Sequence, residues 1–287
     1  MRNAGKTAAL VLLTILATDM ALAQEKCEGT LGVSRTIEVD ATGGPWFGAP
    51  QGDPEFLGPG EVVLTFDDGP TPQSTRAILS ALAAECTKAT FFVLGQLAAA
   101  HPDVVREIDA QGHTLGTHTW SHRNLKRLSD EKMKTEIESA FAAVESGVGH
   151  PIAPFFRYPY LSYTRSSAAY LKGRNIAQFA IDIDSFDWRS RNSESVIRRV
   201  EASLARHGRG IILLHDIHAS TAAAVPGLLA LLKAKGFKVV HLAPKAPVTI
   251  VAASLPPGNE PARSPAPPRR RVVHAKPWLA TWKWPTW

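Results

Sequence analysis

The stretch from Glu61 to Glu85, EVVLTFDDGPTPQSTRAILSALAAE, sets the fold. A short apolar run over 62–66 ends in Asp67-Asp68-Gly69-Pro70, a good turn sequence, and gives way to helical periodicity over 73–85. The same unit recurs along the chain. Further strands are predicted at 90–94, 113–117, 154–157, 176–181, 210–215 and 237–241, with helices near 102–111, 130–147, 165–173, 194–207 and 220–235. Ser129 is a good N-cap, with Asp130 and Glu131 in the favourable first turn. Alternating strands and helices predict an α/β fold with a mainly parallel sheet covered by helices. Seven strands within 61–243 are fewer and shorter than a closed eightfold barrel needs. An incomplete (β/α) barrel and an open doubly wound sheet both fit.

The 287 residues are 45% hydrophobic and 20% charged, too apolar for a wholly disordered chain. Two cysteines exclude a disulfide-dense scaffold and a four-cysteine zinc module. The net charge of +6 raises nucleic acid, anionic membrane or acidic glycan as partners, so its location matters. Residues 1–23 carry +1 and residues 244–287 carry +6, which leaves −1 for 24–243. The folded part is nearly neutral, and nucleic acid is not an expected partner.

Arg2 and Lys6, the apolar run from Ala8 to Ala17, and Ala21-Leu22-Ala23 read as a secretory signal peptide over 1–23. Export to the periplasm or beyond is therefore expected, and an oxidising compartment would permit a Cys27–Cys86 disulfide. Residues 24–60 are rich in glycine and proline, with one β-like stretch at Thr36 to Val39, and read as an extension wrapping the domain. From Pro244 the sequence becomes Pro-rich and holds Arg269-Arg270-Arg271, Trp278, Trp282, Trp284 and Trp287. That tail, 244–287, has the composition of a disordered segment, dispensable or a weak envelope or membrane-surface contact.

Polar residues gather after the strands, where such folds place their sites. His118 and His122, four residues apart, would aim both imidazoles at one point if they shared a helical turn, and imidazole suits zinc and its neighbours. One carboxylate from Asp67-Asp68 would complete a two-histidine, one-aspartate set with open positions. Adjacent carboxylates repel, and a bound cation would justify the pair. A solvated turn and a polar loop explain the same residues without chemistry.

Taken in order, Thr65-Phe66-Asp67-Asp68-Gly69-Pro70, His118-Thr119-Trp120-Ser121-His122, Arg157-Tyr158-Pro159-Tyr160, Asp184-Ser185-Phe186-Asp187-Trp188 and Leu213-Leu214-His215-Asp216 form a pattern. With Ala89-Thr90-Phe91-Phe92-Val93, this pattern resembles the polysaccharide deacetylases with the NodB homology domain, carbohydrate esterase family 4. The resemblance covers roughly 61–243. It implies a distorted, incomplete (β/α) barrel, and hydrolysis of acetyl groups on the N-acetylated sugars of peptidoglycan, chitin or chitooligosaccharide.

The resemblance also implies roles. Asp67 would be the base, and Asp68, His118 and His122 the ligands of a divalent ion, zinc first, then cobalt or another transition metal. Arg157 would tether Asp67, the backbone N–H of Tyr160 would stabilise the oxyanion, and Asp187 would orient His215, the acid for the leaving amine. Trp188 and Leu213 would wall the acetyl pocket. The alternatives are an O-acetyl esterase on xylan-type glycans and an inactive carbohydrate-binding member. Tyr158 and Leu161 depart from the pattern, where proline and glycine are frequent, which leaves the substrate wall there open. His113 and His218 read as structural or peripheral, and Asp182 with Asp184 as a chance Asp-x-Asp.

Overall fold

The computed structural model describes residues 27–53 and 55–245. The expected signal peptide and the tail beyond Lys245 lie outside these residues. The strands are β1 (Arg35–Val39), β2 (Trp46–Phe47), β3 (Glu61–Asp67), β4 (Thr90–Val93), β5 (Thr114–Thr117), β6 (Phe155–Phe156), β7 (Ala177–Phe179), β8 (Ile183–Asp184), β9 (Gly210–His215) and β10 (Lys238–Pro244). The helices are α1 (Pro72–Ala84), α2 (Gly95–Ala100), α3 (Pro102–Ala110), α4 (Asp130–Val148), α5 (Arg165–Gly173), α6 (Ser193–His207) and α7 (Ala219–Ala234). Among the described residues, no helix is long and apolar enough to cross a membrane. Ser129 does precede α4, without a side-chain capping bond.

Parallel pairing runs β7-β6-β5-β4-β3-β9-β8, a curved sheet that does not close between β7 and β8. This is the incomplete (β/α) barrel, but its seven strands are not quite those read from sequence. The two-residue β8 belongs to it, whereas the strand expected at 237–241 is β10. That strand pairs with β3 only at Lys238 and Val239, then runs beside β1 as far as Pro244.

Residues 35–39 and 46–47 of the Gly/Pro-rich segment are built into the sheet. β2 lies on the free edge of β7, where Gln178 N–H donates to Pro45 O and Ala180 N–H to Phe47 O. Ala49 N–H then donates to Asp182 Oδ1 at 2.9 Å, so this segment fills the seam. The fit requires Gly48, at φ +82°, because a Cβ there would stand 2.8 Å from the Ala180 carbonyl carbon. β1 and β10 form the base, where Val39, Val240 and Leu242 join the apolar interior and Thr114 Oγ1, at the start of β5, donates to Leu242 O. Cys27 and Cys86 form a disulfide that ties the segment to the end of α1.

Side-chain alternation explains how the strands carry both core and site. On β3, Leu64 and Phe66 face the helices, while Val63, Thr65 and Asp67 share the opposite face. On β9, Ile212 and Leu214 face the helices, and Ile211, Leu213 and His215 alternate with them. Phe92, Phe155 and Phe179 fill the interior, with ring centres 4.9 and 5.4 Å apart. Above this aromatic layer, the strand ends deliver charged groups.

Candidate active site

Asp67 ends β3 and is buried, and Arg157, one strand face above Phe155, is fully buried with it. Arg157 Nη1 donates to Asp67 Oδ1 and to Thr65 Oγ1, both at 2.7 Å, and Nη2 donates to Ala180 O. Its guanidinium carbon lies 4.3 Å from the centre of the Phe92 ring, so the aromatic layer fixes its plane. Burial pushes the Asp67 carboxyl up to about 6, although Arg157 and His215 oppose the rise.

Asp68 turns the other way, in a left-handed conformation at φ +74°. Its Oδ1 lies 3.5 Å from His118 Nε2 and 3.4 Å from His122 Nε2, and one ligand atom from each residue lies within 4.8 Å of the others. Burial would raise the Asp68 carboxyl, but its electrostatic interaction with the facing imidazoles of His122, His215 and His118 holds it below its ordinary value. His118 Nδ1 sits 2.7 Å from Arg157 O; donation there leaves the Nε2 lone pair aimed at Asp68. Burial drops the His118 imidazole to about 3 and also lowers His122, keeping both neutral. Asp68 Oδ1 is buried without a hydrogen-bond donor. One carboxylate, two neutral imidazoles and an orphaned buried oxygen fit a divalent transition ion.

The two histidines converge through a loop and not through the helical turn expected from their spacing. Residues 118–122 follow β5 as irregular backbone, with Thr119 at φ +71° and His122 at φ +58°. Glu136 on α4 holds this loop: its carboxylate accepts from Ser121 N–H and Oγ, and its carbonyl from Trp120 N–H. Buried acids inside helices are rare, but nothing in the sequence around Glu136 announces its burial.

His215 ends β9, beside Asp67 in the β3 register. Asp187 grips it twice, accepting from His215 N–H at Oδ2 and facing Nδ1 at Oδ1, both at 2.7 Å. Thr221 on α7 donates to the same Oδ2 at 2.7 Å. Burial alone would lower the His215 pKa, but the hydrogen bond and charge of Asp187 push it up to about 10. Burial likewise acts on Asp187, where the bonds from His215 and Thr221 win and hold the carboxyl low. Nothing near Thr221 in sequence signals its part.

Asp216 was unassigned by sequence. It is buried, its Oδ2 accepts from Thr75 Oγ1 at 2.6 Å, and burial pushes its carboxyl up to about 7. Its carboxylate packs on Gly69, where a Cβ would come within 2.1 Å, so only glycine lets the Asp67–Pro70 turn close over it.

The remaining expectations divide. Tyr160 and Leu161 are exposed on consecutive left-handed residues, φ +59° and +51°, and the Tyr160 ring meets the edge of His122 at 4.6 Å. Trp188 is exposed next to Asp187, and Leu213 is buried two residues before His215 on the same strand face. Tyr158 does not line the cleft: it is buried, stacks on Trp46 of β2 at 5.7 Å, and donates to Gln178 Oε1. Its departure from the expected proline serves the seam. Asp182 binds Ala49 and Ile211 N–H, and Asp184 caps Phe186 N–H, so this pair supports backbone. His113 accepts from Ala89 N–H within the core, and His218 lies 6.0 Å from His215.

Residues 57–178 match the polysaccharide deacetylase family. Over 181 residues the chain is 35% identical to a peptidoglycan-N-acetylglucosamine deacetylase of Listeria monocytogenes, covering 63% of this chain and 38% of that protein. The match therefore spans well under half of that relative. A chitooligosaccharide deacetylase of Azorhizobium caulinodans is 32% identical over 155 residues, 54% of this chain and 73% of that protein. Among solved structures, a peptidoglycan deacetylase of Bdellovibrio bacteriovorus superposes with a TM-score of 0.69 at 31% identity, over 82% of this chain and 70% of that one.

Proposed function

The chain belongs to the polysaccharide deacetylase family, and on that premise we propose that it hydrolyses the acetamido groups of an N-acetylated glycan, releasing acetate and a free amine. One observation carries the reading: adjacent carboxylates have been given different partners. Asp67 is clamped by Arg157, while Asp68 faces two imidazoles with an oxygen that no donor satisfies.

Asp68, His118 and His122 would hold a divalent cation, zinc in our reading, with cobalt or another transition metal able to replace it. When bound, it would supply Lewis-acid polarisation of the acetyl carbonyl. Asp67 takes a proton from the attacking water through Oδ2, because Oδ1 is occupied by Arg157. The carbonyl becomes tetrahedral, and Tyr160 N–H is the backbone donor assigned to its oxyanion. The C–N bond then breaks as His215, protonated and steadied by Asp187, gives its proton to the departing nitrogen. Trp188 and Leu213 bound the acetyl methyl. An intact His215 with its carboxylate partner favours the amide over an ester, whose leaving group needs less protonation. The Cys27–Cys86 disulfide supports action in an oxidising, exported setting.

A panel of N-acetylglucosamine oligomers, peptidoglycan fragments and acetylated xylan, scored for released acetate with and without a chelator, tests this reading. Asp67→Asn should keep the cation while acetate release falls about 10²–10⁴-fold. If Asp67→Asn lost the cation and Asp68→Asn kept it, the two carboxylates would have to exchange roles.

A further inference from the structure

Four large hydrophobic side chains stay exposed among the described residues: Tyr160, Leu161, Phe186 and Trp188. All four adjoin site residues: Tyr160 meets the His122 ring and Leu161 follows it in the chain, while Phe186 and Trp188 flank Asp187 on its turn. Exposed aromatic rings grouped this way mark a contact surface, since scattered ones need no explanation.

The second pair is covered by arginines. Phe186 and Trp188 lie 6.2 Å apart, and the Arg189 guanidinium sits 4.2 Å from the Trp188 ring centre and 5.7 Å from that of Phe186. Arg199 reaches over from α6 to 5.6 Å from the same phenyl ring. Their neighbour Arg198 pairs with Glu194, but Arg189 and Arg199 meet no carboxylate among the described residues. Residues 24–243 sum to −1, while residues 189–199 hold Arg189, Arg191, Arg198 and Arg199 against Glu194, so positive charge is concentrated here.

Stacking fixes a guanidinium plane and leaves its edge N–H groups free, the arrangement that receives a carboxylate in two parallel hydrogen bonds. The rings beside it offer flat apolar faces to the C–H face of a sugar. Building on the deacetylase reading, we infer that Phe186, Trp188, Arg189 and Arg199 form a subsite for a carboxylate-bearing sugar next to the one deacetylated. The substrate class is then an acidic N-acetylated glycan in preference to neutral chitin-type chains.

The test compares two glycans of one length, N-acetylglucosamine oligomers whose alternate sugars carry an ether-linked carboxylate, and the same oligomers with that carboxylate amidated. Binding is measured by calorimetry on the full cation-loaded chain carrying Asp67→Asn, so that no turnover alters the ligand. The acidic form should bind about tenfold tighter at low ionic strength, and the preference should shrink as salt is raised. Adding Arg189→Gln and Arg199→Gln should bring the ratio close to one, while Arg189→Lys with Arg199→Lys should restore only part of it. Equal binding of both glycans before the arginines are changed, or an unchanged ratio after the glutamine pair, would overturn the subsite. Because the ratio is taken on one protein, a partly unfolded preparation cancels from it. Acetate release from both glycans by the unsubstituted, cation-loaded chain is scored separately: release from neither would sink the deacetylase reading, whereas the binding ratio alone decides the subsite.

Discussion

The two sides of the cleft are built on opposite terms. On one side, Asp68, Thr119 and His122 hold left-handed backbone, and lone pairs converge on a space that no donor enters. On the other, Asp187 fills both its oxygens with the N–H and ring of His215 and the hydroxyl of Thr221. The first side is a ligand set, stable in that form only because α4 and the sheet restrain loops that cost on the order of 1–3 kcal/mol per strained residue. The second is a closed hydrogen-bonded unit at the end of a strand. One half of the chemistry should therefore depend on an added ion, and the other on protonation alone.

Removing the ion strikes the contrast hardest. Chelation, or Asp68→Ala, should cut acetate release by about 10³-fold or more, since Lewis-acid stabilisation is worth several kcal/mol. Adding back zinc should rescue the chelated protein and not the variant. Next comes His215→Ala, which should lose about 10²–10³-fold in kcat/KM on the amide while calorimetry still finds full cation affinity. A loss of cation there would mean the two sides are not separate.

Asp187→Asn should act through pH. His215 must carry a proton to serve as the acid, and Asp187 raises its pKa to about 10, so activity should fall only on that alkaline limb. Without that carboxylate only the charges of Asp68 and Asp67 still oppose burial, so the limb should move to lower pH, and a limb brought to the ordinary value of about 6.5 would cost about thirtyfold at pH 8. The acidic limb, near 6 from Asp67, should move up by less, as the His215 charge that helps hold it down is lost earlier, while Arg157 stays in place. A pH–rate profile with an unmoved alkaline limb would remove His215 as the acid. The smallest effect is expected from Glu136→Gln, which loosens the Ser121 contacts and should weaken cation affinity about tenfold while leaving the alkaline limb unchanged.

How much of this was legible in the sequence follows from what each residue depends on. β3 and β9 announce themselves as short apolar runs, and the polar residue that closes each places Asp67 and His215 at the strand ends. β2 and β8 have two residues each, too few to carry a period, and their places are dictated by the open edge of β7 and by β9. The ligand residues were visible as types and spacing, but the helical turn supposed for His118 and His122 was not formed. Loop backbone with positive φ achieved the same convergence. Glu136, Thr221 and Asp216 act by supporting other residues from elements distant in sequence, so no local pattern marks them. The departure at Tyr158 left the substrate wall open in the sequence, because its partner Trp46 lies in a segment legible only as a wrapping extension.

The base of the domain has a mechanical side. The described polypeptide enters through Cys27 and leaves through Lys245, both at the end of the barrel away from the cleft, where Cys86 follows α1 and β10 runs beside β1. With the disulfide intact, a pull on the chain ahead of Cys27 passes directly to Cys86, and β1 carries none of that load. Reduction would transfer the force to the β1–β10 ladder, whose parallel register from Arg35↔Val240 to Val39↔Pro244 meets it in shear, all its hydrogen bonds resisting together. In either redox state the force enters at the base, away from the strand ends that carry Asp67 and His215.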